Sequence, residues 1–212
     1  LYCTDSLSQA SPMKLWTSQG YEVLMAEGVI DTQFIPWLEQ KFEDINFQRV
    51  DAEIDDELQE KEPELTDSKG ERQSDVLINL IKESLNNDKI TIKVQSLKND
   101  DAPPALILLP EQMRRISDIG ALMEQKLPGL PDNHVLLVNR SHPIVKGLLK
   151  LNSGSVLITE KSSSPSNSLT NEIVYHIYDM ARLGIGGMEP NEIGSFQARN
   201  SDLMGKLIEK AL

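Results

Sequence analysis

The sequence is poor in the residues that build most redox, metal and nucleic-acid sites. It has one cysteine, Cys3, so no disulfide can form within the chain, and a reducing compartment is indicated. Its three histidines, His134, His142 and His176, are not spaced as zinc ligands are. With 33 acidic against 21 basic residues, the net charge of −12 is the reverse of the basic footprint that nucleic-acid-binding proteins carry.

Long hydrophobic runs are missing as well. No apolar stretch approaches the roughly 20 residues that a membrane-spanning helix needs. Residues 1–20 lack the basic start, apolar middle and cleavage site of a signal peptide. We therefore expect a cytoplasmic protein with neither membrane nor nucleic acid as a partner. Residues 1–4 have the pattern of a strand whose beginning would lie before residue 1. We therefore expect the chain to be a piece of a longer protein.

Acidic residues are present in excess, and they are concentrated. Residues 51–73 hold ten acidic side chains against three basic ones and few apolar ones. Such a segment buries too little surface to offset its ordering entropy, which predicts an exposed linker or a partly frayed helix. An acidic docking segment is the alternative interpretation. The linker divides the chain into predicted domains at residues 1–50 and 74–212.

The first predicted domain is a small α/β unit. A strand over residues 1–4, a helix that starts at Ser11-Pro12 with Ser11 as its cap, and a strand over 21–25 imply a parallel pair. Gly20 ends that helix. A second helix is predicted with Asp31 as its cap and with Pro36 inside it, where a kink or an early first turn is expected. The apolar face of this helix consists of Phe34, Ile35, Trp37 and Leu38.

The second predicted domain has a small three-stranded sheet with helices, so the fold class is α+β. The strands are predicted over residues 90–94, 106–109 and 134–138, with a further brief strand over 156–159. Helices are predicted from Ser74, from Pro110 to about 126, and from Ser141 to about 150. A serine-rich loop over 162–168 precedes two final helices, over 169–183 and 189–211.

No catalytic motif accompanies these elements. The glycine-rich residues 184–187 follow a helix and lack the lysine of a phosphate-binding loop, so they predict a helix–helix turn. His142 has no nucleophile or acid partner in the sequence, which favours a structural role over that of a general base. We expect no enzyme activity, metal or cofactor in this chain.

Amphipathic helices are its most distinctive feature. The helix after Pro110 carries Met113, Ile116 and Met123 along one stripe. This stripe either packs on the sheet or forms the adaptable kind of surface that promiscuous binders use. The last two helices carry apolar stripes formed by Ile173, Ile177, Met180, Ile193, Phe196, Leu203 and Leu207. These helices either form a four-helix bundle with a second copy or fold back on their own sheet.

Three segments together resemble the heat-shock protein 90 family, of the bacterial HtpG type. Residues 113–149 read MRRISDIGALMEQKLPGLPDNHVLLVNRSHPIVKGLL, similar to the family's C-terminal pattern that ends in Asn-x-x-His-Pro, filled here by Asn139, His142 and Pro143. Residues 18–51, SQGYEVLMAEGVIDTQFIPWLEQKFEDINFQRVD, resemble the end of its middle domain. Residues 172–187, EIVYHIYDMARLGIGG, resemble its first dimerisation helix.

The resemblance implies an ATP-driven homodimeric chaperone that acts on partly unfolded client proteins. ATP and magnesium would bind to domains outside this chain, whose residues 1–50 would end the middle domain and whose residues 74–212 would form the dimerisation domain. The family's client-contacting surface carries over to Phe34, Trp37, Met113, Ile116 and Met123, and its dimer contacts carry over to the stripes of the last two helices. A protein-interaction module without chaperone function, dimeric for structural reasons alone, is the alternative.

Overall fold

The computed structural model describes residues 1–28, 30–52, 72–97, 102–110, 133–156, 165–185 and 187–211. Within these ranges the chain forms five strands, in sheets of two and three, together with six helices, and the predicted α+β class is confirmed. The elements are β1 (Tyr2–Cys3), α1 (Ala10–Ser18), β2 (Leu24–Met25), α2 (Asp31–Lys41), α3 (Gln73–Leu85), β3 (Thr91–Gln95), β4 (Ala105–Leu108), β5 (Val135–Asn139), α4 (Pro143–Val156), α5 (Pro165–Gly184) and α6 (Pro190–Ala211).

The first sheet is the predicted parallel pair, with β1 beside β2. The second strand is shorter than predicted, because only residues 24 and 25 of the stretch 21–25 pair with β1. α1 begins at Ala10, so Ser11 lies inside the helix and is not its cap. Pro12 is nevertheless within the first turn, where backbone N–H groups have no partner in the helix, so its missing N–H costs little. Gly20 follows α1 with a φ of 89°, the left-handed conformation that glycine adopts readily.

α2 runs through Pro36 without interruption. Asp31 is its first residue rather than the residue before it, and the Asp31 carboxylate accepts a hydrogen bond from the Gly28 N–H at 2.8 Å. Ile35 is 3% exposed and packs in a small cluster with Tyr2 and Ala26. This contact fixes which side of α2 faces inward.

The second sheet has the order β3–β5–β4, which confirms the predicted three strands. β3 is parallel to β5, and β4 is antiparallel to it. At the end of β5 the buried Asn139 side-chain oxygen accepts hydrogen bonds from the Leu97 and Ser141 N–H groups, each at 3.1 Å. Asn139 therefore orders both the exit of β3 and the turn that leads to α4.

β5 is buried along its whole length because the sheet has a core on each face. Leu136 and Val138 point to the first core, which α3, α4 and α5 cover. Val135 and Leu137 point to the second core, on the opposite face. The second core is completed from the N-terminal part of the chain by Cys3, Leu15, Trp16 and Val50.

The backbone at residues 48–52 links the two sheets. The Val50 N–H donates to the Tyr2 carbonyl at 2.9 Å, and the Leu109 N–H donates to the Asp51 carbonyl at 3.4 Å. Asp51 and Ala52 are buried, which corrects the prediction that an exposed linker begins at residue 51. Most of the predicted linker lies outside the described residues, and the division into two domains stays a prediction.

Two helices are longer than predicted. α4 continues to Val156, so the brief strand expected over 156–159 does not begin there. α5 begins at Pro165, inside the predicted serine-rich loop, because a proline with its fixed φ is well suited to the first helical position. The helix predicted after Pro110 lies outside the described residues. Within the described ranges, none of the helices combines the length and apolar character needed to cross a bilayer.

Candidate functional site

One face of α5 anchors the C-terminal helices to the sheet. Val174, Ile177 and Ala181 recur every three or four residues, and all three are buried in the first core. Beside them the Tyr178 hydroxyl and His134 Nε2 lie 3.1 Å apart, within hydrogen-bond distance. α5 thus folds back on its own sheet along this face, and its opposite face remains open to α6 and to solvent.

Ion pairs hold α6 along the length of α5. The pairs are Arg182–Glu192 at 2.6 Å, Arg199–Asp179 at 2.5 Å and Lys206–Glu172 at 2.5 Å. The Asp179 side chain is 4% exposed, whereas the Arg199 side chain is 45% exposed. A partly exposed arginine thus pairs with a buried carboxylate. These contacts fix α5 and α6 as one hairpin.

An apolar groove of about 820 Å³ opens between this hairpin, β4 and the start of α4. Side chains from α5 and α6 form its walls, and β4 lines it as well. Among the described residues, its lining contains no lysine, arginine, aspartate or glutamate. The wall residues are Ile173, His176, Ile177, Met180, Ala181, Leu183 and Gly184 from α5 and Asn200, Leu203, Met204 and Leu207 from α6.

The groove brings together five of the seven residues predicted for a dimer interface. They are Ile173, Ile177, Met180, Leu203 and Leu207. Ile177 and Leu203 are 7% and 8% exposed, so contacts within the chain already bury them, whereas Met180 and Leu207 are 48% and 49% exposed. The other two predicted residues, Ile193 and Phe196, do not line the groove. Ile193 is 38% exposed. The Phe196 ring stacks on that of His176, with the ring centroids 5.9 Å apart.

Sequence reasoning missed three exposed apolar residues of the groove. Met204 is 53%, Ile144 47% and Leu183 38% exposed. Met204 had a signal in the sequence, because it lies three positions before Leu207 and therefore on the same side of the helix. Ile144 had none, since it comes from α4, and only the tertiary fold brings it beside α5.

A second exposed apolar surface lies on α2. Phe34 and Trp37 are 46% and 47% exposed, and their rings stack with centroids 5.5 Å apart. Lys41 Nζ lies 4.8 Å from the centroid of the Trp37 ring and 5.5 Å from that of Phe42, close enough for cation–π attraction. We call Phe34, Trp37 and Phe42 the α2 patch. Of the other residues predicted for client contact, Met113, Ile116 and Met123 lie outside the described residues.

His142 has a structural role at the start of α4. Its Nδ1 accepts a hydrogen bond from the Ile144 N–H at 3.2 Å, so the ring caps one of the free N–H groups of the first turn. Partial burial lowers the pKa of His142, which favours the neutral ring that this bond requires. The geometry agrees with the structural role inferred from the sequence.

The described residues hold neither a clustered metal site nor a cationic groove wall. They contain no group of three or more histidine, cysteine, aspartate or glutamate side chains that could hold a metal ion. The groove wall lacks the cationic side chains that phosphates need. In the glycine-rich turn, the Gly187 N–H donates to the Arg182 carbonyl at 2.9 Å and is thus engaged in ending α5. This turn joins two helices, as the sequence indicates.

Comparisons with known proteins identify the family of this chain. The Hsp90 protein family model matches residues 3–211. The chain is 30% identical over 153 residues to chaperone protein HtpG of Bacteroides thetaiotaomicron, covering 70% of this chain and 22% of that protein. It is 31% identical over 165 residues to chaperone protein HtpG of Porphyromonas gingivalis, covering 74% and 23%. The chain therefore spans less than a quarter of the length of these relatives. It belongs to the Hsp90 protein family and resembles the HtpG type, as the sequence predicts.

Proposed function

We propose that this chain supplies homodimerisation and part of the client-binding surface of an ATP-driven chaperone. The family and the chaperone names of its relatives support the general role. The observation that carries the role of this chain is the open apolar groove between α5 and α6. ATP and magnesium would act in parts of the full-length protein outside this sequence.

A second copy of the chain is the proposed occupant of the groove. Met180, Met204 and Leu207 are each about half exposed on a mostly apolar wall. Covering the open half of such a side chain contributes roughly 1 kcal/mol. Large contiguous apolar surfaces of this kind usually mark interaction sites. Packing the hairpin against the same hairpin of a second copy closes the assembly at two and yields a four-helix bundle.

The dimer would serve the chaperone by raising the effective concentration at which the other domains of the two chains encounter each other. Two chains that are held together at their C-terminal hairpins keep their other domains close without any further contact. Transient meetings of those domains then become intramolecular events. The ion pairs between α5 and α6 support this role, because a preorganised hairpin loses less conformational freedom when it binds.

The α2 patch is the proposed client-contacting surface in this part of the chain. Phe34 and Trp37 offer rigid apolar rings, which bury a large area at low cost in side-chain entropy. The patch is small, so it would hold an exposed apolar segment of a client only transiently. Met113, Ile116 and Met123 remain in this proposal on the family resemblance alone.

An aggregation-suppression assay tests the client proposal. The chain is added to a thermally unfolding client enzyme, and light scattering is followed for the wild type and for a Phe34→Ser/Trp37→Ser variant. We expect the variant to lose most of the protection. Tyr175→Ser is the matched control, because Tyr175 is an aromatic residue 37% exposed on α5, outside both the α2 patch and the groove lining. Equal protection by the wild type and the double variant would overturn the α2 patch as the client-contacting surface, whereas no protection by the wild type would favour an interaction module without client binding.

A further inference from the structure

Two methionines line the groove from opposite helices. Met180 on α5 is 48% exposed, and Met204 on α6 is 53% exposed. Both side chains are therefore about half open to small oxidants in a single copy of the chain. Met25 on β2 is 49% exposed but does not line the groove, so it is an internal reference with the same exposure and a different location.

Hydrogen peroxide is the oxidant that suits these side chains. Its O–O bond breaks as one oxygen atom is transferred to the thioether sulfur, and the other oxygen leaves as water. The sulfur loses two electrons in forming the S=O bond, and the peroxide is reduced. The product, methionine sulfoxide, replaces a flexible apolar group by a polar one.

We propose that peroxide oxidation of Met180 and Met204 releases the second copy from the groove, an inference that rests on the proposed dimer. A sulfoxide is hydrated in the separate chain, whereas in the dimer it would face a mostly apolar wall, whose polar side chains are those of Ser11, His142, His176 and Asn200. Moving a polar group from water into mostly apolar surroundings is unfavourable, so modification shifts the equilibrium towards single chains.

Because dimerisation and oxidation exclude each other, the extent of oxidation depends on the protein concentration. A second copy covers both sulfurs, so oxidation proceeds through dissociated chains. A dilute or weakened dimer is therefore oxidised first and cannot re-form, whereas a concentrated dimer is protected. Because sulfoxide is reduced enzymatically by methionine sulfoxide reductases, the release is reversible.

Sedimentation equilibrium before and after peroxide treatment tests the inference, with sulfoxides located by peptide mass spectrometry. The full chain is compared with a Met180→Leu/Met204→Leu variant, whose groove stays apolar but cannot be oxidised at these positions, and with Met25→Leu as the control. We expect the dissociation constant of the wild type and of Met25→Leu to rise about tenfold or more on oxidation. The double variant is expected to stay dimeric, and reductase treatment to restore the wild-type dimer.

Each other result has a distinct meaning. An oxidised wild-type chain that remains dimeric with sulfoxide at both positions overturns the inference and leaves the dimer intact. The inference is likewise overturned if both sulfurs resist oxidation at concentrations where the chains are dissociated and Met25 is oxidised. Equal dissociation of the double variant would overturn it too, because the effect would then lie at another methionine. A chain that is monomeric before any treatment overturns this inference together with the proposed dimer.

Discussion

The indole N–H of Trp16 donates a hydrogen bond to the backbone carbonyl of Val50, 34 residues further along the chain, at 2.8 Å. Trp16 is 9% exposed and Val50 is fully buried, and both belong to the second core. Because the next residue, Asp51, accepts a hydrogen bond from Leu109 directly after β4, this contact connects α1 to the larger sheet. Residues 1–52 and the sheet are thus held by polar as well as apolar contacts.

Trp16→Phe tests this connection. The variant keeps an aromatic ring in the core but removes the donor, which leaves the buried Val50 carbonyl without that hydrogen bond. We expect the free energy of unfolding, measured by urea denaturation, to fall by about 1–3 kcal/mol. Tyr175→Phe removes a hydroxyl from an exposed ring and should change stability by less than about 0.5 kcal/mol. Equal stability of Trp16→Phe and wild type would mean that the hydrogen bond is dispensable.

The buried ion pair between Arg49 and Asp51 yields a second prediction. The Arg49 guanidinium donates to both carboxylate oxygens, at 2.6 and 2.9 Å, and both side chains are nearly inaccessible to solvent. Asp51→Asn removes the negative charge and leaves a buried cation, which costs about 3–5 kcal/mol in the free energy of unfolding. The control is Asp202→Asn, whose side chain is 64% exposed opposite Lys206 and whose loss should cost under about 1 kcal/mol. Similar losses of unfolding free energy for the two variants would contradict the expectation that the buried pair contributes more to stability than the exposed one.

The Arg182–Glu192 pair predicts how stability depends on pH. The hydrogen bond from Arg182, followed by that from the Glu189 N–H, holds the pKa of Glu192 below its ordinary value of 4.5. The folded protein therefore binds a proton at Glu192 less tightly than the unfolded chain does. The stabilisation is fully present above the ordinary value and is lost as the pH falls through the lower folded pKa.

Glu192→Gln isolates this contribution. We expect the difference in unfolding free energy between wild type and variant, measured in urea at a series of pH values, to be constant near neutrality. It should shrink as the pH falls below the ordinary glutamate value. A difference that does not change between neutral and strongly acid pH would show that the carboxylate charge of Glu192 contributes nothing to stability.

Periodicity in the sequence predicts much of the fold but not what covers each surface. The alternation of Ile90, Ile92 and Val94 correctly predicts a strand with one buried face. The run from Val135 to Val138 is continuously apolar, which is typical of a strand buried on both faces. Nothing local in the sequence indicates that α1 and Val50 supply the second cover, because that contact joins segments far apart in the chain.

The candidate site was predictable to a similar extent. A helical period places Ile173, Ile177 and Met180 on related positions of α5. It does not reveal that Ile177 is buried in its own chain while Met180 is half exposed, since the position of α5 relative to β4 decides this. On α2, by contrast, the burial of Ile35 turns Phe34 and Trp37 outward, and both are half exposed, while their role in client contact stays a prediction.

The solution mass of this chain, determined by sedimentation equilibrium down to low concentration, tests the central claim most directly. We expect a species of twice 23.7 kDa, and a single chain when Leu207→Glu places a charge on the groove wall, with the dissociation constant at least about a hundredfold higher. Leu7→Glu makes the same change at a leucine 88% exposed outside the groove lining and should leave the dimer intact. A wild-type monomer at all concentrations, or a dimer that Leu207→Glu leaves unchanged, would contradict the proposal that two copies join through this groove.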